Sequence, residues 1–338
     1  MTIEADQIVD RRRLRRKLTV WRFIGIVALV LAIAGGYGLF AGRDSILEYA
    51  SPQIARISVD GFITEDRERD KLLEKLAETA AVKAVIVSID SPGGGTTGGE
   101  ALYESLRRLA EEKPTVATLG TVAASAAYMA AIATDHIVAR RTSITGSIGV
   151  LFQYPEVSEL MKTLGVSVEE IKSSPLKAAP SPFKPASPEA TAVIAGVVRD
   201  TYNWFVDIVA ERRGLERQAA LKLADGRVFT GRQALAVGLV DETGGEEVAI
   251  AWLAKEHGID AALPVKDWQP QRPGGGFLPY SSDALVFWLA KSLGLSPDFM
   301  RGGVLDRFLP ERLKLDGLMS VWQGHFGGGV GPANEAAK

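Results

Sequence analysis

The chain has 338 residues, of which 46% are hydrophobic and 24% charged, and its formal net charge is −2. That balance is ordinary for a globular protein and supplies no global positive field to recruit nucleic acid. Cysteine is absent, which excludes thiol catalysis, disulfides and cysteine metal sites, and the three histidines are His136, His257 and His325.

Arg11, Arg12, Arg13, Arg15, Arg16, Lys17 and Arg22 precede residues 23–42, a run without a charged residue. As a helix this run reaches about 30 Å, enough to cross the hydrocarbon core of a bilayer. It is apolar on every face, unlike the helix of a soluble core. The basic cluster on one side predicts a single-pass anchor with a cytoplasmic N-terminus and everything beyond residue 42 outside the cytoplasm. A cleaved signal peptide is the rival, but the run is long for one and its small-x-small options are weak.

After a linker at 43–52, residues 54–59 read as a strand and 66–80 as a helix with Leu72, Leu73, Leu76 and Ala77 on one side. Residues 84–89 are an apolar run of the buried parallel-strand type. Asp90-Ser-Pro-Gly-Gly-Gly follows, then a helix over 100–111, a strand over 115–119 and a small-residue helix after Ser125. His136 opens another short strand, and Thr145-Gly-Ser-Ile-Gly is a turn-rich segment. A short helix over 157–164, a strand over 166–172 and a proline-rich loop over 173–188 come next. Ser187 and Pro188 have N-cap and first-turn character for a helix ending at Gly214. Thr230-Gly-Arg-Gln has capping-box spacing, and a helix over 246–257 closes the compact part. Strand and helix alternate throughout, which predicts an α/β domain with a mostly parallel sheet over 53–262. Residues 263–338 read as an extension with a Pro/Gly-rich linker, an apolar helix over 285–295 and a glycine-rich tail.

In open parallel sheets, ligands bind beyond the carboxyl ends of the strands. Ser125 sits at such an end, at the start of a helix, where backbone N–H groups and the helix dipole favour negative charge. It is a candidate nucleophile, or else a small N-cap serine in an Ala-rich helix. The glycines after Asp90-Ser-Pro bring backbone donors near a ligand and are candidates for an oxyanion hole, as is the N–H next to Ser125. A tight turn is the plainer reading, and no phosphate-binding glycine pattern is present. None of the three histidines stands where a triad base would, so the base shifts to lysine. An ordinary lysine has a pKa of about 10.4, and a base needs one nearer 7, which burial in an apolar pocket supplies. Lys177, in Ser174-Pro-Leu-Lys-Ala-Ala-Pro, is the best candidate; Lys172 and Lys184 are rivals.

The ordered set Ser-Pro-Gly-Gly-Gly, Ala-Ala-Ser-Ala-Ala-Tyr, Thr-Gly-Ser-Ile-Gly-Val, Lys-Ser-Ser-Pro-Leu-Lys and Asp-Gly-Arg-Val-Phe-Thr-Gly-Arg-Gln-Ala resembles the bacterial signal peptide peptidase A family in its short, membrane-anchored form. The resemblance covers residues 54–257 and implies a crotonase-like, Clp-protease-like fold carrying a serine–lysine dyad. It assigns Ser125 as nucleophile, Lys177 as general base, Ser147 as the residue that orients the lysine, and Gly93, Gly94 and Ala126 as the oxyanion hole. The chain departs from the family pattern at Ser174, where glycine is usual, and at Ala178, where an acid often stands. The resemblance further implies leftover signal peptides or other apolar peptides as substrates, a homo-oligomeric ring against membrane lipid, an extracytoplasmic (periplasmic) catalytic domain on a bacterial inner membrane, and no cofactor, metal or nucleic acid. A crotonase-type acyl-CoA enzyme and an inactive scaffold of the same fold are the alternatives.

Overall fold

The computed structural model describes residues 51–270, Trp21, Arg22 and Gly25 near the N-terminus, and the backbone of a strand at Leu318–Val321. Apart from Gly25, the expected anchor at 23–42 lies outside the described residues, as do the helix expected over 285–295 and the glycine-rich tail. Among the described residues no helix is long and apolar enough to cross a membrane. The chain divides into Met1–Gln53 and Ile54–Lys338, and the architecture below belongs to the second unit.

Ten strands form one sheet. In chain order they are β1 (Gln53–Ile63), β2 (Val82–Gly95), β3 (Thr115–Ala124), β4 (His136–Ala139), β5 (Ile144–Gly146), β6 (Leu151–Phe152), β7 (Val228–Thr230), β8 (Glu242–Thr243), β9 (Val265–Asp267) and β10 (Leu318–Val321). Between them lie α1 (Arg67–Glu78), α2 (Thr96–Glu112), α3 (Ala126–Ile132), α4 (Ser158–Thr163), α5 (Pro188–Arg213), α6 (Arg217–Leu223), α7 (Gly231–Ala236) and α8 (Glu246–His257). The central order is β6-β10-β2-β3-β4-β8. The pairs β2–β3, β3–β4, β3–β5, β4–β8 and β1–β9 are parallel, and β10 and β7 run antiparallel to their neighbours. The chain is therefore a mixed α/β fold with a mostly parallel sheet.

Side chains alternate across the strands and feed two cores. Val85, Val87 and Ile89 of β2 join Ala117 and Leu119 of β3 in the larger core, with α1, α2, α3 and the second half of α5. Ala84, Ile86, Val116 and Val138 face the other way, against Ala249 and Leu253 of α8. The helices covering both faces make an α/β/α sandwich.

The local signals that end the helices hold. The Asp66 carboxylate accepts from the Glu68 and Arg69 N–H groups at the start of α1. Ser187 Oγ accepts from Ala190 N, Pro188 occupies the first turn of α5, and Gly214 terminates it at φ +61°. Thr230 and Gln233 close a capping box on α7.

Three segments differ from the sequence expectation. The strand expected to end at Ile89 continues through Ser91-Pro-Gly-Gly-Gly, because residues 93–95 pair with residues 319–321. The strand expected to end at Leu119 continues to Ala124, because residues 122–124 pair with 144–146. In both cases a distant partner makes extended an otherwise loop-like sequence. The strand expected over 166–172 is absent: among the described residues no strand pairs with this segment, and Val166, Val168 and Ile171 are exposed.

Candidate active site

β3 delivers the chain to a sharp turn at Ser125, and α3 starts on the next residue. Ser125 holds φ +62° and ψ −121°, a strained conformation for a residue with a side chain, and is 1% exposed. Among the described residues, the non-glycine residues with positive φ are Ser125, Ser147 and Ala178. A strained strand-to-helix turn is how a nucleophilic serine is presented at the top of a sheet. The Ser125 N–H donates to Gly146 O at 2.8 Å, which ties the turn to the end of β5. Its carbonyl accepts from Tyr128 N and Met129 N, so the serine closes the first turn of α3.

All seven residues of α3 are buried. The alanines allow this helix to press on β2 and β3, and Gly99 of α2 admits it closely: a Cβ there would stand 2.9 Å from Ala126 Cβ and Met129 Sδ. Tyr128 is wholly buried and its hydroxyl donates to Leu239 O at 2.7 Å. Burial holds the phenol un-ionised by pushing its pKa up. The helix under Ser125 is thus fixed from all sides.

Ser147 lies beside this turn. β3 and β5 are parallel with Ala124 opposite Gly146, so Ser125 and Ser147 are the next residue on each strand. Ser147 is 8% exposed at φ +52°, and its N–H donates to Arg227 O at 2.8 Å.

The glycine-rich stretch comes from the neighbouring strand. Ser91 pairs with Ala123. Its buried hydroxyl donates to Gly61 O at 2.6 Å and accepts from Gly93 N at 3.1 Å. The N–H of Gly93 is therefore engaged. Gly94 is required by a close crossing: a Cβ there would fall 1.9 Å from Ile63 O in β1. In the first turn of α3, the N–H of Ala126 precedes the helical ladder and has no carbonyl one turn back. The Asp90 carboxylate accepts from Val122 N at 3.0 Å and braces β2 against β3 below the turn.

The lysines stand on the segment between β6 and α5, which is exposed through most of its length. Lys177 is exposed. The positive φ of Ala178 (+57°) follows directly. Lys172, the rival, is ion-paired to Glu170 at 2.8 Å with a side chain only 14% exposed. Lys184 reaches the same carboxylate oxygen at 2.9 Å, and Ser181 Oγ donates to the other at 3.1 Å. Hydrogen bonds from Lys172 and Lys184 pull the Glu170 pKa down to about 2. Glu170 thus ties together the loop that carries Lys177, a role no sequence motif marks.

The described histidines lie elsewhere. His136 pairs in register with Val116, at the opposite end of β3 from Ser125. Nine residues of strand at 3.3 Å each put them roughly 30 Å apart. There His136 stacks on Trp252 at 4.5 Å and faces Glu242, and His257 packs on the same indole at 4.9 Å. His325 lies outside the described residues.

Residues 107–260 match peptidase family S49. A putative protease of Synechocystis sp. is 38% identical over 209 residues, covering 62% of this chain and 76% of the relative. A putative protease of Methanocaldococcus jannaschii is 36% identical over 231 residues, covering 66% and 74%. A putative signal peptide peptidase of Enterococcus faecium is 32% identical over 248 residues, covering 68% and 72%. The chain belongs to peptidase family S49, the family of signal peptide peptidase A.

This S49 chain is a serine-type peptidase, and the matched residues span Ser125, Ser147 and Lys177. Ser125, Ser147, Gly93, Gly94 and Ala126 lie at the carboxyl ends of the neighbouring strands β2, β3 and β5, and Lys177 lies on an exposed loop. Sequence reasoning passed over Ser91 and Asp90, whose side chains brace the glycine stretch and the serine turn. Their signal was present in Asp-Ser-Pro directly before the glycines.

Proposed function

We propose that this protein is a membrane-anchored serine endopeptidase that uses Ser125 and Lys177 as a dyad on a Clp-like, crotonase-type fold. The neutral amine of Lys177 takes the Ser125 Oγ proton as Oγ bonds to the carbonyl carbon of the scissile peptide. The Gly93 N–H is held by Ser91 Oγ, so the charge that moves to the carbonyl oxygen is left to the backbone N–H groups of Gly94 and Ala126. The Lys177 ammonium then gives its proton to the leaving amine, and the C–N bond breaks to leave an ester on Ser125. Water attacks the ester carbon, passes a proton to Lys177 and releases the acid, and Oγ regains its proton.

The observation that carries this reading is the strained Ser125 turn on a wholly buried helix, with Ser147 at the adjoining strand end and both described histidines remote. The lysine comes from the loop by the family resemblance and by that elimination. Ser147 Oγ is its proposed holder.

A neutral lysine needs burial, and Lys177 is exposed in the single chain. We infer that a neighbouring copy covers it in a homo-oligomeric ring. Leu160, Leu164, Val166, Ile171, Leu176 and Phe183 are all exposed on the segment that carries it, and exposed apolar side chains in number favour a covering partner. The basic N-terminus and apolar run at 23–42 support a single-pass anchor with the catalytic domain outside the cytoplasm, on a bacterial inner membrane. Apolar peptides at the membrane, leftover signal peptides among them, are then the proposed substrates.

The test is hydrolysis of a fluorogenic apolar peptide by the detergent-solubilised full chain, with fluorophosphonate labelling followed by mass. Turnover and a label on Ser125, both absent from Ser125→Ala, are expected. An assembled protein that neither turns over nor takes the label sinks the proposal.

A further inference from the structure

β3 does not run straight to Ser125. From Val85 opposite Thr115 to Ile89 opposite Leu119, β2 and β3 keep one register, with partners 30 apart in the chain. Beyond a break at Asp90 the next pair is Ser91 opposite Ala123, 32 apart. Gly120, Thr121 and Val122 of β3 therefore stand against Asp90 alone. A bulge of this kind bends its strand and re-aims the side chains that follow. β3 also changes neighbours here: residues 116–119 pair with β4, and residues 122–124 pair with β5.

The bulge decides what Ser125 faces. Continued without it, the register of Ile89 and Leu119 would bring Ser125 level with Gly95. With it, Ser125 is level with Gly93 and one residue from Gly94. The two extra residues amount to about 7 Å of strand. A slip of one residue would turn Ser125 to the other face of the sheet.

Two side chains close on the bulge from opposite sides. The Asp90 carboxylate accepts from Val122 N at 3.0 Å, where a regular ladder would offer a main-chain carbonyl. Gly120 makes room for it, since a Cβ there would stand 3.1 Å from Asp90 Cγ and Oδ2. The Ser143 hydroxyl, 2% exposed, donates to Gly120 O at 2.5 Å and accepts from Arg140 N at 3.1 Å. Ser143 lies between β4 and β5, the two neighbours that β3 exchanges at this point.

We propose that Asp90 and Ser143 are positioning residues for the peptidase reaction: they lock the bulge in β3 whose length sets Ser125 against the oxyanion glycines. This rests on the reading of Ser125 as the nucleophile. Asp90 acts here as a hydrogen-bond acceptor. Its amide analogue keeps an oxygen in the same place, and its alanine analogue leaves the Val122 N–H unpaired.

The test compares the full chain with Asp90→Ala, Asp90→Asn and Ser143→Ala in detergent. Asp90→Ala is expected to lower kcat and the rate of fluorophosphonate labelling of Ser125 by about ten-fold or more, with KM within about three-fold of wild type. Asp90→Asn is expected to restore both rates to within about three-fold of wild type. An Asp90→Asn chain as slow as Asp90→Ala, a loss carried by KM alone, or labelling unchanged in Asp90→Ala overturns the proposal. Ser143→Ala is expected to slow the same two rates, so the test stands if Asp90→Ala does not fold; unchanged rates in Ser143→Ala remove Ser143 from the device.

Amide hydrogen exchange supplies a readout that needs no catalysis. Residues 120–126 are expected to exchange about ten-fold faster in Asp90→Ala and Ser143→Ala, and at the wild-type rate in Asp90→Asn, with residues 136–139 unchanged in all three. Unchanged exchange at 120–126, or faster exchange throughout the sheet, overturns the proposal. If Ser125 takes no label in any form yet exchange follows this pattern, the peptidase reading falls and the pinned bulge stands.

Discussion

Ser125 and Ser147 are the next residues after a strand pair, Ala124 and Gly146, and both hold positive φ, at +62° and +52°. The Ser125 N–H donates to Gly146 O, so the turn that presents one serine is hydrogen-bonded to the strand that ends at the other. Strain in sparsely populated backbone regions costs on the order of 1–3 kcal/mol per residue and persists where the surroundings enforce it. Here the wholly buried α3 and the two strand ends do so.

Replacing Ser125 separates strain from chemistry. Ser125→Ala and Ser125→Gly are both expected to lose activity by about 10⁴-fold or more. Glycine accepts φ +62° without a Cβ clash, so Ser125→Gly should be more stable than Ser125→Ala by about 1 kcal/mol. Denaturant unfolding of the two variants measures this; equal stability, or a more stable alanine variant, contradicts a strained turn.

The three loop lysines should behave differently. Lys177→Ala is expected to reduce kcat by about 10³-fold, the usual scale for a lost general base. Lys172→Ala and Lys184→Ala lose contacts to Glu170 and should keep kcat within about ten-fold, since each leaves the other cation in place. A Lys172→Ala chain as inactive as Lys177→Ala would move the base to Lys172.

Gly94→Ala tests the crossing of β1 over the glycine stretch. The added Cβ would meet backbone, Ile63 O at 1.9 Å, and backbone cannot step aside as a side-chain tip can. A destabilisation of about 3 kcal/mol is expected from such overpacking, together with loss of activity. A thermal melt within error of wild type would show that β1 is not held there.

Glu170 predicts a pH window. Its pKa falls from the ordinary 4.5 to about 2 because Lys172 and Lys184 hydrogen-bond to it. A depressed carboxylate contributes stability above its unfolded value, and that contribution is lost as the pH falls from about 4.5 to about 2. Proteolysis of the 153–187 loop by pepsin should therefore accelerate across this window in wild type. Glu170→Gln, which has no charge to lose, should be cleaved rapidly at every pH in that range. Parallel profiles for the two chains would show that Glu170 does not hold the loop.

What could be read in advance follows the range of the forces involved. Ser187, Pro188 and Gly214 bound α5 by local capping, so both ends of that helix were legible. The small residues around Ser125 likewise advertised a close-packed turn. β2 and β3 could not be bounded, because residues 93–95 and 122–124 become strand only through partners at 319–321 and 144–146. The closeness of Ser147 to Ser125 arises from a pairing across 22 residues, and only the family resemblance pointed to it. Glu170 escaped notice because Lys172 precedes the proline-rich loop and Lys184 lies within it, with no period or spacing to mark the pair.

A helix without a solvent-facing residue leaves little room for drift. Almost any change in α3 alters packing on several sides at once, so the position of Ser125 is a property of the whole core. The 153–187 segment is the reverse: most of its residues face solvent, and those outside the Glu170 cluster can change at small cost to the fold. Variation among relatives of this chain should therefore concentrate where the lysine is carried. New partners and new substrates could then be acquired there while the serine stays where the sheet puts it.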